Sequence, residues 1–334
     1  MMLELSTIWA GIIAFAVLTY VILDGFDLGI GILFPFAKTE KDRDVMMNSV
    51  TPVWDGNETW LVMGGGGLFA VFPLAYSVVM PALYVPVIIM LLALVFRGVA
   101  FEYRWRTVRG RWLWDVAFHG GSTVAALCQG IALGALVQGI PVEGRHYAGG
   151  WWDWLTPFSV LTGVALVIGY ALLGATWLNM KTTGKIQRQM RSYVRPLMLM
   201  TLGLIGLVSL LTPFQDPIYM VRWFSWPGVV FTVLVPAFVT AIARMLDRGL
   251  KEQRDYQPFF CAIALFVVCF IGIGISFYPY MLPPSLTIAE AAAPDSSLAF
   301  ALVGAVILLP VILAYTAYTY WVFRGKIDPE ENYH

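Results

Sequence analysis

Charged residues are scarce in this sequence. Only 13% of its 334 residues are charged, whereas 59% are hydrophobic and the mean hydropathy is +0.74. Soluble domains carry about 25% charged residues, so this composition excludes an ordinary globular protein. The 21 Lys and Arg only balance the 21 Asp and Glu, which leaves no basic surplus for nucleic-acid binding. The composition therefore predicts a polytopic membrane protein with no nucleic-acid partner.

Cysteine and histidine are also scarce. The three cysteines lie in apolar runs without a C-x-x-C pair, which argues against a disulfide framework and a thiolate metal site. They are Cys128, Cys261 and Cys269. His146 and His334 lie outside the apolar runs, so His119 has no partner histidine within them. His119 is either a haem or metal ligand or a histidine hydrogen-bonded to a neighbouring helix. We therefore expect no metal site, and no redox centre held entirely by this chain.

Nine apolar runs are long enough to cross a membrane, which takes ~20 residues per helix. Their approximate extents are 8–35, 58–77, 78–100, 113–138, 154–179, 194–214, 225–246, 257–279 and 298–322. Such continuous runs form helices because lipid cannot satisfy the backbone. Residues 1–334 are therefore predicted to form a single all-α integral membrane domain with nine transmembrane helices. Eight is the alternative count, because Pro73, Pro81 and Pro86 crowd the boundary between the second and third runs.

Lysine and arginine alternate between the two sides of this arrangement. Of the 21 cations, all but Arg145 and Arg222 fall in the odd-numbered connections, at their membrane ends or in the tail. Positive residues are retained on the cytoplasmic side. The pattern therefore predicts an outside amino terminus and a cytoplasmic carboxyl terminus, and a count of eight helices would break it.

Two carboxylates, Asp24 and Asp27, lie within the first apolar run. An ionisable side chain at the bilayer centre costs at least ~2.5–3.5 kcal/mol, so it is expected to be functional or paired. The two acids share one helix face, and Gly25 and Gly29 would let another helix approach closely. Two interpretations stay open: a structural pair held by a cation such as Arg97, or part of a proton path.

A second acidic pair, Asp55 and Glu58, begins the second run. Carboxylates in a first turn are favoured by the helix dipole, so helix capping alone would explain them. Asn57 and Thr59 add more polar atoms than one helix start needs. Glycines at 64–67 follow, and they predict either very close helix contact or a locally loosened helix.

Three motifs resemble subunit II of bacterial cytochrome bd-type quinol oxidases, the CydB family. They are DGFDLGIG at 24–31, WDGNETWL at 54–61 and FRGVAFEYR at 96–104. Further likeness at 138–141, 174–178 and from 277 to 317 extends the resemblance over nearly the whole chain. The compact connections resemble the short, cyanide-insensitive branch of that family.

The resemblance implies two four-helix bundles plus one peripheral helix, paired with cytochrome bd subunit I in the bacterial cytoplasmic (inner) membrane. That complex oxidises quinol and reduces dioxygen to water with cytoplasmic protons. Its b-type and d-type haems are bound largely by subunit I. Subunit II supports assembly, lines part of a proton path and in some members holds a quinone-like lipid. A small single-helix accessory subunit is a further partner that the resemblance leaves open.

The resemblance also carries roles to individual residues. Asp55 matches the proton-path carboxylate of the family, and Asp24 and Asp27 match its helix-one acids. Glu58 stands where some relatives have a neutral amide, so its role is less defined. These four residues are the candidate site, with no cofactor or metal ligand among them.

Two other functions compete with this interpretation. A proton-coupled secondary transporter also uses intramembrane carboxylates and glycine-broken helices, in two corresponding halves. Only the second run contains a glycine series, and the second half of the sequence has no counterpart. The other alternative is a purely structural partner subunit, in which the carboxylates would carry no protons.

Overall fold

The chain folds almost entirely into helices. The structure, a computed structural model, describes residues 4–327; His334 and the carboxyl terminus lie outside the described residues. The helices are α1 (Leu5–Leu33), α2 (Glu40–Asn48), α3 (Trp54–Val71), α4 (Pro73–Ala82), α5 (Tyr84–Arg106), α6 (Arg111–Gln138), α7 (Pro157–Lys181), α8 (Gly184–Leu211), α9 (Pro217–Phe224), α10 (Gly228–Lys251), α11 (Gln257–Phe277), α12 (Ile288–Ala291) and α13 (Asp295–Val322). Two short antiparallel hairpins complete the fold: β1 (Val142–Glu143) with β2 (His146–Tyr147), and β3 (Tyr280–Leu282) with β4 (Leu286–Thr287).

Within residues 4–327, eight helices are long and apolar enough to cross a membrane. They are α1, α5, α6, α7, α8, α10, α11 and α13, in two cases extended by a 3₁₀ turn. These eight correspond to eight of the nine predicted spans, so the all-α membrane fold is confirmed. The count of nine and the arrangement in two bundles stay predictions.

The predicted second span, 58–77, is divided in the structure. Helix α3 ends at Val71, and the backbone of Phe72 leaves the helical region (φ −129°, ψ 60°) before Pro73 begins α4. Proline restricts the residue before it to non-helical conformations, which explains the break. The 18 residues of α3 rise about 27 Å, close to a membrane thickness, but its acids and glycines lower its hydropathy.

Helices α1 and α7 cross in a deeply buried part of the molecule. All residues of α1 from Asp24 onward are buried, as is α7 from Gly169. A Cβ on Gly29 would overlap the Tyr170 carbonyl, and one on Gly174 would lie within 2.6 Å of the Ile30 nitrogen. Glycine is required on both sides of this crossing, and the predicted close approach at Gly25 and Gly29 is confirmed.

The glycine series of α3 lies within one continuous helix. Gly64 and Gly67 face Val17 and Ile13 of α1, whereas Gly65 and Gly66 face open space. The structure therefore supports close helix contact rather than a loosened helix at this series.

Candidate functional site

Arg97 of α5 lies at the centre of a buried group of charged side chains. Its Nη1 is 3.0 Å from Asp24 Oδ1, and its Nη2 is 3.8 Å from Asp27 Oδ2. The side chains of Arg97, Asp24 and Asp27 are fully buried. Because a buried charge is tolerated only when it is paired, this group holds α1 and α5 together. We call Arg97, Asp24, Asp27 and Glu58 the Arg97 cluster.

A chain of hydrogen bonds connects the Arg97 cluster to α13. Asn57 of α3 donates from Nδ2 to Asp27 Oδ2 at 2.8 Å. The Tyr320 hydroxyl donates to Asn57 Oδ1, also at 2.8 Å. An amide that accepts on one side and donates on the other fixes its own orientation. Asn57 therefore connects the Asp27 carboxylate to Tyr320 of α13, and the second carboxylate oxygen of Asp27 stays available for another partner.

A second chain lies on the Asp24 side. Tyr20, one turn before Asp24, interacts with that carboxylate through its hydroxyl. Gln129 of α6 donates to the Tyr20 hydroxyl at 2.7 Å and accepts from the Tyr170 hydroxyl of α7 at 2.8 Å. The buried acids are thus connected to α6 and α7 as well as to α3 and α13.

Glu58 and Asp55 lie nearer the surface of the chain than Asp24 and Asp27. Glu58 Oε2 is 3.9 Å from Arg97 Nη1, and its side chain is 26% exposed. Asp55, three residues earlier on α3, is exposed and interacts electrostatically with Glu58. The structure brings Asp24, Asp27 and Glu58 together around Arg97, and it places Asp55 outside that group, next to Glu58.

The charges of the Arg97 cluster do not balance. Three carboxylates face one guanidinium, and full ionisation would leave two uncompensated negative charges in a largely buried place. Uncompensated buried charge is expensive, and carboxylates avoid it by binding protons. The oxygen Asp27 Oδ1 has no hydrogen-bond partner among the described residues. The arrangement can therefore take up a proton and release it.

The sequence predicted Asp24, Asp27 and Glu58 as site residues and Arg97 as a partner, and these four form the cluster. The fourth predicted acid, Asp55, lies outside it. Sequence reasoning missed Tyr20, Gln129 and Tyr320. Tyr20 had a usable signal, because a residue four positions before Asp24 shares its helix face. No local sequence signal indicated Tyr320, because it lies 263 residues from Asn57 in the chain.

His119 of α6 lies beside α1. Its Nδ1 is 3.0 Å from the Gly31 carbonyl oxygen, so one ring nitrogen is engaged with a neighbouring helix. A Cβ on Gly31 would overlap Ser122, which shows how closely α1 and α6 pack there. The contact of the ring with the Gly31 carbonyl is the hydrogen bond to a neighbouring helix that was one of the two interpretations of His119.

Known proteins are similar to this chain over nearly its whole length. Residues 5–323 match the family described as cytochrome bd terminal oxidase subunit II. Cytochrome bd-I ubiquinol oxidase subunit 2 of Escherichia coli (strain K12) is 30% identical over 371 residues, covering 98% of this chain and 96% of that protein. Cytochrome bd ubiquinol oxidase subunit 2 of Bacillus subtilis (strain 168) is 27% identical, covering 99% of both chains.

A solved structure shows the same fold. A chain of the bd oxidase from Geobacillus thermodenitrificans superposes with a TM-score of 0.78 and 20% identity, over 97% of this chain and 100% of that one. The resemblance inferred from the motifs is confirmed, and a secondary transporter is not favoured. The chain belongs to the family of cytochrome bd terminal oxidase subunit II.

Proposed function

We propose that the chain is the second subunit of a complex that oxidises quinol and reduces dioxygen to water, with a cytochrome bd subunit I as its partner. The observation that carries this proposal is the match over residues 5–323. The relatives from Escherichia coli and Bacillus subtilis are named ubiquinol oxidase subunits.

Within that complex, the Arg97 cluster is proposed to pass protons from the cytoplasm. Asp55 is exposed and would take up the proton, and half-buried Glu58 would receive it next. Arg97 stabilises the ionised form of Glu58 and also holds Asp24 and Asp27. The buried acids supply a reservoir that exchanges protons with Glu58. The Asn57 amide cannot relay protons by simple hopping, so its proposed role is to position Asp27.

The haems are proposed to be bound largely by subunit I. Within residues 4–327, His119 is the histidine that lies in a candidate span, and its Nδ1 is 3.0 Å from the Gly31 carbonyl oxygen. The quinone-like lipid and the accessory subunit stay predictions of the resemblance.

The proposed topology places the amino terminus outside and the carboxyl terminus in the cytoplasm of a bacterial inner membrane. The described helices support it, because clustered cations lie at the ends of α5, α8, α10 and α13 that this topology assigns to the cytoplasm. Asp55 in the first turn of α3, and Glu58 just after it, would then lie at the cytoplasmic end of that helix.

Co-expression with subunit I tests the proposed function. We expect one complex that contains b-type and d-type haem and consumes oxygen when quinol is supplied. We also expect His119→Ala to retain the haem content of that complex, measured by absorbance after extraction. A pure, assembled complex without quinol-dependent oxygen uptake would contradict the proposal.

A further inference from the structure

A large apolar cavity lies between α8 and α10 and extends toward α1 and α6, where Tyr20 and Gln129 also line it. Helix α8 packs mainly on α7, and α10 on α11, whereas α8 and α10 contact each other little. The whole cavity, including this extension, has a volume of about 1590 Å³. Its wall includes Leu202, Ile205, Val235, Val239, Leu265 and Phe266. This volume exceeds the ~300–1,000 Å³ of ordinary small-molecule pockets, so the cavity suits a long hydrocarbon ligand.

One end of the cavity is basic. Four cations line it there, accompanied by Asp247: Arg195, Arg244, Arg248 and Lys251. Asp247 pairs with Arg195 at 3.2 Å and with Lys251 at 2.7 Å, and Arg248 pairs with Glu252 at 2.6 Å. Among the described residues Arg244 has no ion-pair partner, and it is exposed. Two acids thus face four cations, and this end carries surplus positive charge.

A polar atom without a partner lies deeper in the same cavity. Thr201 of α8 is buried, and its hydroxyl has no hydrogen-bond partner among the described residues. It lies six residues beyond Arg195, which is about 9 Å along the helix. Burying a hydroxyl without a partner costs free energy. A ligand oxygen below the basic end would remove that cost.

From these observations we propose that the cavity binds an anionic glycerophospholipid. The phosphate would lie at Arg244 and Arg195, an ester oxygen would accept from Thr201, and the acyl chains would lie along the apolar wall. Cations are common at the cytoplasmic ends of membrane helices, so the basic end alone would not indicate a lipid-binding site. Here they line the same cavity as the apolar wall, so one molecule with a charged head and long chains fits both. An uncharged quinone would leave Arg244 unused.

Lipid binding to the intact complex with subunit I tests this proposal. The complex is stripped of lipid by detergent exchange and then titrated with phosphatidylglycerol or phosphatidylcholine, and bound lipid is counted by native mass spectrometry. One Lys or Arg near a membrane surface contributes enough to change lipid affinity by about fivefold. We expect Arg244→Gln to raise the Kd for phosphatidylglycerol by about that factor.

The matched control is Arg188→Gln, on the same helix as Arg195 but outside the cavity. It should leave phosphatidylglycerol binding unchanged, and phosphatidylcholine should bind more weakly than phosphatidylglycerol. Equal affinity for the two lipids would overturn the proposal. So would equal weakening by both arginine variants, or a retained isoprenoid quinone that phosphatidylglycerol cannot replace.

Filling the cavity gives an independent test. A Cβ on Gly206 meets nothing within 4 Å, and Gly206 lines the cavity. Gly203 is equally unhindered but does not line it. Gly206→Leu should therefore lower bound phosphatidylglycerol while Gly203→Leu should not, and equal binding by both would refute an acyl chain in this cavity. The readout is bound lipid, so failure of the proposed quinol oxidation would be seen separately.

Discussion

Arg97 Nη1 of α5 lies 3.0 Å from Asp24 Oδ1 of α1, and neither side chain is exposed. The same guanidinium faces Asp27 on α1 and Glu58 on α3. One arginine thus serves three acids on two other helices. Loss of Arg97 would leave the three carboxylates without this cation, and its presence holds them around one guanidinium.

Arg97→Gln is expected to destabilise the complex strongly. Removing one partner of a buried pair costs about 3–5 kcal/mol, because the remaining charge stays buried. The control Arg106→Gln removes a 78% exposed arginine whose contact with Glu102 is 3.6 Å, and such pairs contribute ~0–1 kcal/mol. Thermal unfolding of the two purified complexes measures the difference. Equal stabilities would show that Arg97 does not hold the helices together.

Gly29→Ala is expected to disturb the crossing of α1 and α7. The added methyl group would overlap the Tyr170 carbonyl, and backbone cannot yield as a flexible side chain does. Overpacking of this kind costs typically about 1–3 kcal/mol. Gly11→Ala on the same helix is the control, because its Cβ meets nothing within 4 Å. The yield of assembled complex should fall only for Gly29→Ala, and equal yields would refute the required contact.

The proposed topology is tested with reporter fusions. All cations but Arg145 and Arg222 lie on the side assigned to the cytoplasm. A reporter that works only in the cytoplasm should be active when it is fused after Lys326. A reporter that works only outside the cytoplasm should be active when it is inserted near Arg145, in the β1–β2 hairpin. The reverse pattern would place Asp55 on the outer side and remove the cytoplasmic source of its protons.

Much of this fold follows from local sequence. Long apolar runs predict eight of the described helices, because each must satisfy its own backbone in lipid. The spacing of Gly25 and Gly29 predicts a close helix contact without revealing which helix approaches. That the partner is α7, with Gly174 opposite Gly29, depends on packing between distant segments, and no local pattern encodes it.

In the candidate site, too, some residues are identifiable from local sequence and others only from the packing of distant segments. Asp24, Asp27 and Glu58 were identifiable because charge within or beside an apolar run is conspicuous. Tyr320 and Gln129 were not, since a tyrosine or glutamine in a span is unremarkable until its hydrogen-bond partner is known. The exposure of Asp55 was also not predictable, because the sequence does not tell which face of the first turn of α3 is covered.

The proton role of Asp55 and Glu58 is the central claim, and two amide variants test it. Asp55→Asn and Glu58→Gln keep the side-chain size and most hydrogen bonding, but neither amide can carry a proton. Asp55 is exposed, so its substitution should change stability by less than about 0.5 kcal/mol. The matched control is Glu102→Gln, a 65% exposed carboxylate on the same proposed side of the membrane.

The decisive measurement is quinol-dependent oxygen uptake per haem in these three assembled complexes. Haem content should be retained in all of them. Uptake should fall by about tenfold or more in Asp55→Asn and Glu58→Gln, part of the 10²–10⁴-fold that a positioned proton-transfer group contributes. Glu102→Gln should match the unaltered complex. Normal uptake in fully assembled Asp55→Asn and Glu58→Gln complexes would contradict the proton path and leave these acids a structural role.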